Sequence, residues 1–429
     1  MKVMFKKIVV AILIYEAKLV LKKYHPRVIA ITGSVGKTST EDALYTVLNK
    51  SFFVRKSKKS FSGEFNVLLT ILNCPTGWNN PFLWLKNIIK GVSLLIFRHH
   101  YPELLILEVG AERPGDVENV SKWLVADIVV ITRFGDVPTH VEFFDSVEHL
   151  VREKAFLINS LKKDGLLILN GDDEKVRVLK DTTDHEYITY GFEKNTDIRA
   201  DNVQISYNDG VPIGLSFELK DGRKKITIHM KNVFGRHHVY VALCALAVGR
   251  YFKLDTKDIL ESLSSYTPPP GRLRLVEGLK GCIIIDDTYN ASPVAVLAGL
   301  ETVGELNIKG KKIAILGDML ELGKFTIEAH KEVGVMVGKM CDLLFVVGPR
   351  AQSVVDGALI GGMSEKNIVE FADSKEAGKH AERIIKEEDV IFIKGSQGMR
   401  MEYAVEEIMA HPENKKQVLV RQEKEWQSR

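Results

Sequence analysis

The stretch Val28-Ile-Ala-Ile-Thr32-Gly33-Ser34-Val35-Gly36-Lys37-Thr38-Ser39-Thr40 decides how this chain is read. A β-branched apolar run stops at a glycine turn and passes into Glu41-Asp-Ala-Leu-Tyr-Thr-Val-Leu48, whose apolar positions recur at helical spacing. The pattern predicts a strand, a loop and a helix. In such a loop the glycines let the backbone curl, so that amide N–H groups and the positive end of the helix face phosphate oxygens. Lys37 adds a mobile charge and Thr38 a hydroxyl for Mg²⁺. An ordinary turn would also accept Gly33 and Gly36, but it has no use for Lys-Thr-Ser directly behind them. The expectation is a nucleoside triphosphate held by Gly33, Ser34, Val35, Gly36, Lys37, Thr38 and Ser39. The spacing of the glycines is shorter than in the general G-x-x-x-x-G-K-[ST] form.

Working outward, 429 residues are enough for two or three separate cores. The formal charge of +3 is small for this length, and no basic tract is interleaved with aromatics, so nucleic acid is not an expected partner. Cys74, Cys244, Cys282 and Cys341 stand singly, without the paired spacing of a zinc site or a disulfide framework, which fits a reducing cytoplasm. Near the N-terminus, Lys2, Lys6 and Lys7 precede the apolar run Ile8–Tyr15, but Glu16 and Lys18 end it and no cleavage site follows. A helix packed on the protein is expected there. The stretch Phe82–Phe97 reads as an amphipathic helix with lysines on one side and the core on the other, peripheral membrane contact being the alternative.

Leu104–Glu108 and Ala126–Thr132 read as buried parallel strands, and Gly165–Asn170 as another. From about Tyr187 to Lys231 the pattern alternates with period two, with turns at Asn208-Asp209-Gly210 and Asp221-Gly222, predicting an antiparallel insert. A helix follows over Val239–Phe252. Pro268-Pro269-Pro270 mark a boundary, since successive prolines lack donors and stay extended. Beyond it, strands at Cys282–Asp286, Lys312–Gly317, Leu343–Val347, Ile368–Phe371 and Val390–Lys394 alternate with helices, predicting a doubly wound α/β unit. The expected fold class is α/β, with a helical segment at 1–27, a central phosphate-loop unit with a mostly parallel sheet at 28–267, a Rossmann-like unit at 268–412 and a solvated charged tail at 413–429.

Several motifs together resemble the Mur ligases, ATP-dependent amide-forming enzymes of peptidoglycan synthesis, from Val28 to about Met409. The loop TGSVGKTST is similar to that family's short form. Leu107-Glu108-Val109-Gly110-Ala111 with Pro114-Gly115-Asp116 resembles its E-x-G-x-x-x-x-G-[DE] segment, and Ile131–His140 the strand that ends in a metal-binding histidine. Lys154 falls where these enzymes carry a lysine carbamoylated by carbon dioxide. The resemblance implies ATP as substrate and Thr38, Glu108, His140 and carbamoylated Lys154 as holders of two Mg²⁺ ions, which would offset the phosphate charge. Taken singly, Glu108 reads as a strand-end acid, His140 as a loop histidine and Lys154 as a solvated helix residue. Their joint spacing behind a phosphate loop favours the site.

Asp286-Asp287-Thr288-Tyr289-Asn290-Ala291-Ser292-Pro293, Gly317-Asp318-Met319-Leu320-Glu321-Leu322-Gly323 with His330, and Lys394-Gly395-Ser396 with Met401-Glu402 resemble the blocks of the MurF type. That implies D-alanyl-D-alanine and a UDP-linked muramoyl tripeptide as substrates of a cytoplasmic, monomeric enzyme. Lys37, Lys154, His140 and Arg272 would then be catalytic, with Arg272 as the family's interdomain arginine and Asp287 and Asn290 lining the nucleotide.

Three departures accompany the resemblance. A helix-sized segment stands before the loop where the family carries a uridine-nucleotide domain. Ser62–Thr70 replaces the glycine and proline of an N-x-x-I-G-V-P-L-T segment, and His238 stands where an asparagine is usual. Two alternatives follow: a Mur-type ligase with a different peptide or cell-wall acceptor, and a non-catalytic ATP-binding partner protein.

Overall fold

The computed structural model describes residues 2–57, 63–77, 80–221, 224–423 and 426; Ser62 and Gly222, named above, lie outside them. The chain divides into two compact units, the first made of Met1–Phe134, Phe143–Arg199 and Val241–Leu263, the second of Gly135–Glu142, Ala200–Tyr240 and Ser264–Arg429.

In the first unit, β1 (Arg27–Thr32), β2 (Val54–Arg55), β3 (Leu104–Glu108), β4 (Ala126–Ile131), β5 (Leu161–Asn170) and β6 (Glu186–Gly191) form a parallel sheet in the order β2-β3-β1-β4-β5-β6. The central strands are buried along their length, as the continuous apolar runs require of a sheet covered on both faces. From β1 the chain first reaches β2 and β3 on one side and then crosses to β4 on the other. The carboxyl ends of β1 and β3 therefore flank the switch point where α/β sheets bind ligands.

The N-terminal helix runs over Lys2–Tyr24 and buries Leu13, Ala17 and Val20, as expected. The helix Pro81–Ile96 corrects its expectation. It buries Asn87, Gly91 and Leu94 and turns Phe82, Leu85, Ile89, Val92 and Ile96 outward, so its apolar stripe does not face the core. The reason is specific polar anchoring: Asn87 Nδ2 donates to the Pro75 carbonyl (2.8 Å), and Lys90 is held by the Asn73 carbonyl.

The period-two region also splits. β6 pairs in parallel with β5 and with the start of β7 (Ile198–Asn208), so it belongs to the parallel sheet and not to an antiparallel insert. The antiparallel part is the hairpin of β8 (Val211–Asp221) and β9 (Lys224–Lys231), preceded by a tight turn in which Asp209 and Gly210 take φ of 50° and 82°.

The second unit's main sheet contains β10 (Arg274–Glu277), β11 (Ile283–Asp287), β12 (Lys312–Gly317), β13 (Leu343–Val347), β14 (Ile368–Phe371) and β15 (Val390–Lys394) in the order β10-β11-β15-β12-β13-β14. Only β10, a short edge strand not expected from sequence, is antiparallel. Residues 200–240 group with this unit because Phe234 is buried in its core with Val296, Leu300 and Val303.

Among the described residues after Pro412, Glu413 to Gln417 are largely solvated as expected, but Leu419, Val420 and Arg421 are buried. Leu419 joins the core under the sheet, and Arg421 is 7% exposed. Arg421 donates to both carboxylate oxygens of the fully buried Glu402 (3.0 and 2.6 Å) and to the carbonyls of Thr288 and Tyr289. A basic residue read as solvated is drawn in because a side-chain carboxyl at 0% exposure needs hydrogen-bonded partners.

Candidate active site

The loop after β1 is built as its glycines require. Gly33 has φ 143°, and a Cβ there would stand 1.9 Å from Thr132 Oγ1, so no other residue fits. Gly36, at φ 87°, opens the helix Lys37–Leu48 and aims its N-terminus at the loop. The amides of Ser34 and Val35 donate to the Arg133 carbonyl (2.7 and 3.2 Å), so in this structure they close the loop onto β4 and are not presented to a ligand.

Ile31 of β1 pairs with Glu108 of β3, which puts that carboxylate beside the loop. Glu108 is 5% exposed; Oε2 accepts from Thr38 Oγ1 (2.8 Å), and Oε1 is 4.0 Å from Lys37 Nζ. A hydroxyl and a carboxylate in contact, next to a lysine at a helix N-terminus, are hard oxygen donors suited to Mg²⁺ on a triphosphate.

Lys154 lies on the helix Val147–Ala155, capped by Ser146, whose Oγ accepts from His149 N. Its neighbour Glu153 accepts from the amides of Val117 and Glu118 (2.7 and 3.0 Å), pinning this helix to Asp116–Ser121 and directing Lys154 inward. Lys154 is 2% exposed, and Nζ donates to Ser34 Oγ (2.8 Å) and to the Gly33 carbonyl (3.2 Å). Burial, with the Lys37 charge adding to it, pushes its amine well below the usual lysine range. Sequence reading placed Lys154 on a helix; its burial against the phosphate loop is a product of the fold.

Glu41 was missed. It is buried on the first turns of the loop helix, accepts from Ser57 N (3.0 Å), and its carboxyl is pushed up to about 8 by burial and by repulsion from Glu108. Its only sequence signal is an acid four residues behind Lys37, which also suits an exposed helix position.

The remaining expected residues lie in the second unit. His140 takes φ 69°, a strained conformation for a residue with a side chain, and Nδ1 is 2.5 Å from Glu321 Oε2. Among the described residues, no group of three or more His, Cys, Asp or Glu side chains converges as a ready metal site.

Asp287 Oδ2 accepts from the buried Lys394 Nζ (2.5 Å) and Oδ1 from Leu273 N. Lys394 also donates to the Asn290 carbonyl (2.8 Å), while Asn290 Oδ1 accepts from Gln397 N (3.3 Å). These two residues tie the ends of β11 and β15 together. Asp318 accepts from Arg350 Nη1 (3.1 Å), and its carbonyl from Ser396 N, so three sequence blocks meet at the carboxyl ends of β11, β15 and β12. The Arg272 guanidinium stacks over Tyr289 at 3.9 Å, and its carbonyl faces His238 Nε2 at 3.3 Å. His238 is fully buried, and burial pushes it down to about 4, so it is a neutral structural bond to Arg272.

Residues 31–249 match the Mur ligase middle domain, and residues 271–397 match the Mur ligase glutamate ligase domain. The chain belongs to the Mur ligase family. This Mur ligase is 29% identical over 397 residues, covering 92% of it and 79% of the relative, to the UDP-N-acetylmuramoyl-tripeptide--D-alanyl-D-alanine ligase of Bacillus subtilis. It is 27% identical to the corresponding ligase of Mycobacterium leprae, over 86% of this chain and 71% of that one. A structure of the MurF ligase from Thermotoga maritima in complex with ADP superposes with a TM-score of 0.76 at 26% identity, over 93% of this Mur ligase and 83% of that chain.

Proposed function

We propose that the chain is an ATP-dependent, ADP-forming ligase of peptidoglycan precursor synthesis that joins D-alanyl-D-alanine to UDP-N-acetylmuramoyl-tripeptide. Support for the acceptor comes from the named relatives and the three sequence blocks of the second unit. Support for the chemistry comes from one observation above all, the buried Lys154 on the phosphate loop, held below its usual basicity.

In this reading ATP transfers its terminal phosphoryl group to the acceptor carboxylate. The dipeptide amine then attacks the acyl phosphate, and phosphate leaves. Lys37 and the first turn of its helix neutralise the transferred charge, and Gly36 to Ser39 position the phosphates, the Ser34 and Val35 amides being turned onto the Arg133 carbonyl. Thr38 and Glu108 are the residues that would hold Mg²⁺, which when bound supplies charge neutralisation at the phosphates. Lys154 fits a carbamate, because carbon dioxide adds to a neutral amine and burial favours the neutral form of this one; as a free amine it offers no anionic ligand. The family resemblance assigns His140 to metal, Arg272 to triphosphate, and Asp287 and Asn290 to the nucleotide; within the second unit His140 is turned toward Glu321 and Arg272 lies over Tyr289. No helix among the described residues is long and apolar enough to cross a membrane, and a monomer acting in the cytoplasm is part of the same reading.

The test is phosphate release from ATP with the UDP-linked tripeptide, with and without D-alanyl-D-alanine. The expected result is release that requires both and yields the pentapeptide product. Release with another peptide acceptor but not with this one would favour the alternative acceptor.

A further inference from the structure

The outward stripe on Pro81–Ile96 is long for a surface helix. Phe82, Leu85, Ile89, Val92 and Ile96 recur at i, i+3, i+7, i+10 and i+14, and Phe82 and Ile96 are 79% and 67% exposed. A continuous apolar stripe of this kind marks an interaction surface.

The helix Lys2–Tyr24 packs alongside. Glu16 meets Gly91, where a Cβ would stand 2.0 Å from Glu16 Oε2, and Lys23 Nζ donates to the carbonyls of Leu94, Leu95 and Phe97 at 2.9, 2.9 and 2.6 Å. The two helices therefore run in the same direction. The N-terminal helix turns its own stripe outward through Ile8, Ile12 and Tyr15, at i, i+4 and i+7.

The charges around these stripes have one sign. Glu16 is the sole acid in residues 2–24 and 81–100, and it is turned inward at 3% exposure. Lys18, Lys22, Lys86 and Arg98 are exposed. A second copy of the chain docked by the same face would set like charges against like. An anionic surface complements them, and a helix with an apolar stripe and basic flanks is the form that lies in a lipid interface without spanning it.

We propose that the two-helix face formed by Lys2–Tyr24 and Pro81–Ile96 docks on the surface of an anionic lipid bilayer. Phe82, Ile89 and Ile96 enter the acyl boundary, and the exposed lysines and Arg98 meet the headgroups. This docking is independent of which acceptor the ligase uses.

The experiment is co-sedimentation of the full chain with vesicles of phosphatidylcholine alone and of phosphatidylcholine containing phosphatidylglycerol. Binding is expected to the anionic vesicles, weakened by salt, with a partition coefficient at least about tenfold above that for the neutral ones. The triple variant Phe82→Glu, Ile89→Glu, Ile96→Glu is expected to lower it by about tenfold or more with its melting temperature unchanged. Ile327→Glu, an exposed isoleucine of the second unit, is expected to bind as the wild type does. Should the triple variant not fold, Phe82→Ser alone reads the same loss in smaller measure. Absence of vesicle binding, equal binding by the wild type and a folded stripe variant, or a lipid-free oligomer that the stripe variants dissociate would each overturn the proposal.

Discussion

Lys154 Nζ donates to Ser34 Oγ at 2.8 Å, joining a helix residue to a phosphate-loop residue 120 positions earlier. The contact holds an amine at 2% exposure beside the charge of Lys37, and both effects favour its neutral form. Burying a lysine costs free energy that an apolar residue would not. In the function proposed above that cost is offset by chemistry, since the neutral amine is the form that carbon dioxide modifies.

Lys154→Ala is expected to be nearly inactive and to regain part of its turnover when a short carboxylic acid is added. Removal of bicarbonate is expected to slow the wild type. Both are read by phosphate release, and full activity of Lys154→Ala at saturating Mg²⁺ would end the carbamate reading.

Lys37→Ala is expected to lower turnover by about 10²-fold or more, since one preorganised charge on the transferred group is lost. The melting temperature is expected to hold within a few degrees, as the Lys37–Glu108 ion pair is long at 4.0 Å. Wild-type rates in the folded variant would remove the phosphate-loop assignment.

Glu41 makes stability depend on pH. Its folded-state carboxyl sits at about 8, above the ordinary value, so the folded state binds the proton more tightly than the unfolded chain. Stability from this group is fully present below the ordinary carboxylate range and is lost as pH rises through about 8. Thermal melts of Glu41→Gln between pH 5 and 9 are expected to decline less steeply with pH than those of the wild type.

His238 acts at the other end of the scale. Its folded-state value of about 4 lies below the ordinary histidine value, so its contribution is present at neutral pH and is lost as pH falls toward 4. His238→Gln, which has an amide able to face the Arg272 carbonyl, is expected to flatten the acid limb of the melting profile. An unchanged acid limb would show that other groups govern it.

Arg421→Ala leaves the fully buried Glu402, among the described residues, with Arg400 Nε at 2.7 Å, and removes the bonds to the carbonyls of Thr288 and Tyr289. The expected loss is about 3 kcal/mol, measured by denaturant unfolding. A loss below about 0.5 kcal/mol would mean that the Arg421–Glu402 contact adds little to the second unit.

By itself the sequence determined the elements whose signals are local. Gly33 and Gly36 after a β-branched run specify the loop because backbone conformation is settled within a few residues. Four of the five strands expected beyond Pro270 appear at the expected bounds, and the fifth, β11, is displaced by one residue. Motif spacing also selected Glu108 and Lys154, which the structure joins to the loop through Thr38 and Ser34. Tertiary structure decided what depends on distant partners and on exclusion of water. It turned Lys154 inward through Glu153, brought Glu41 near Glu108, buried His238 against Arg272, drew Arg421 onto Glu402 and rotated the Pro81–Ile96 stripe outward. A residue type fixes which charge or surface is available, but only packing sets how far it is from water and from the next charge, and those distances set its protonation and its role.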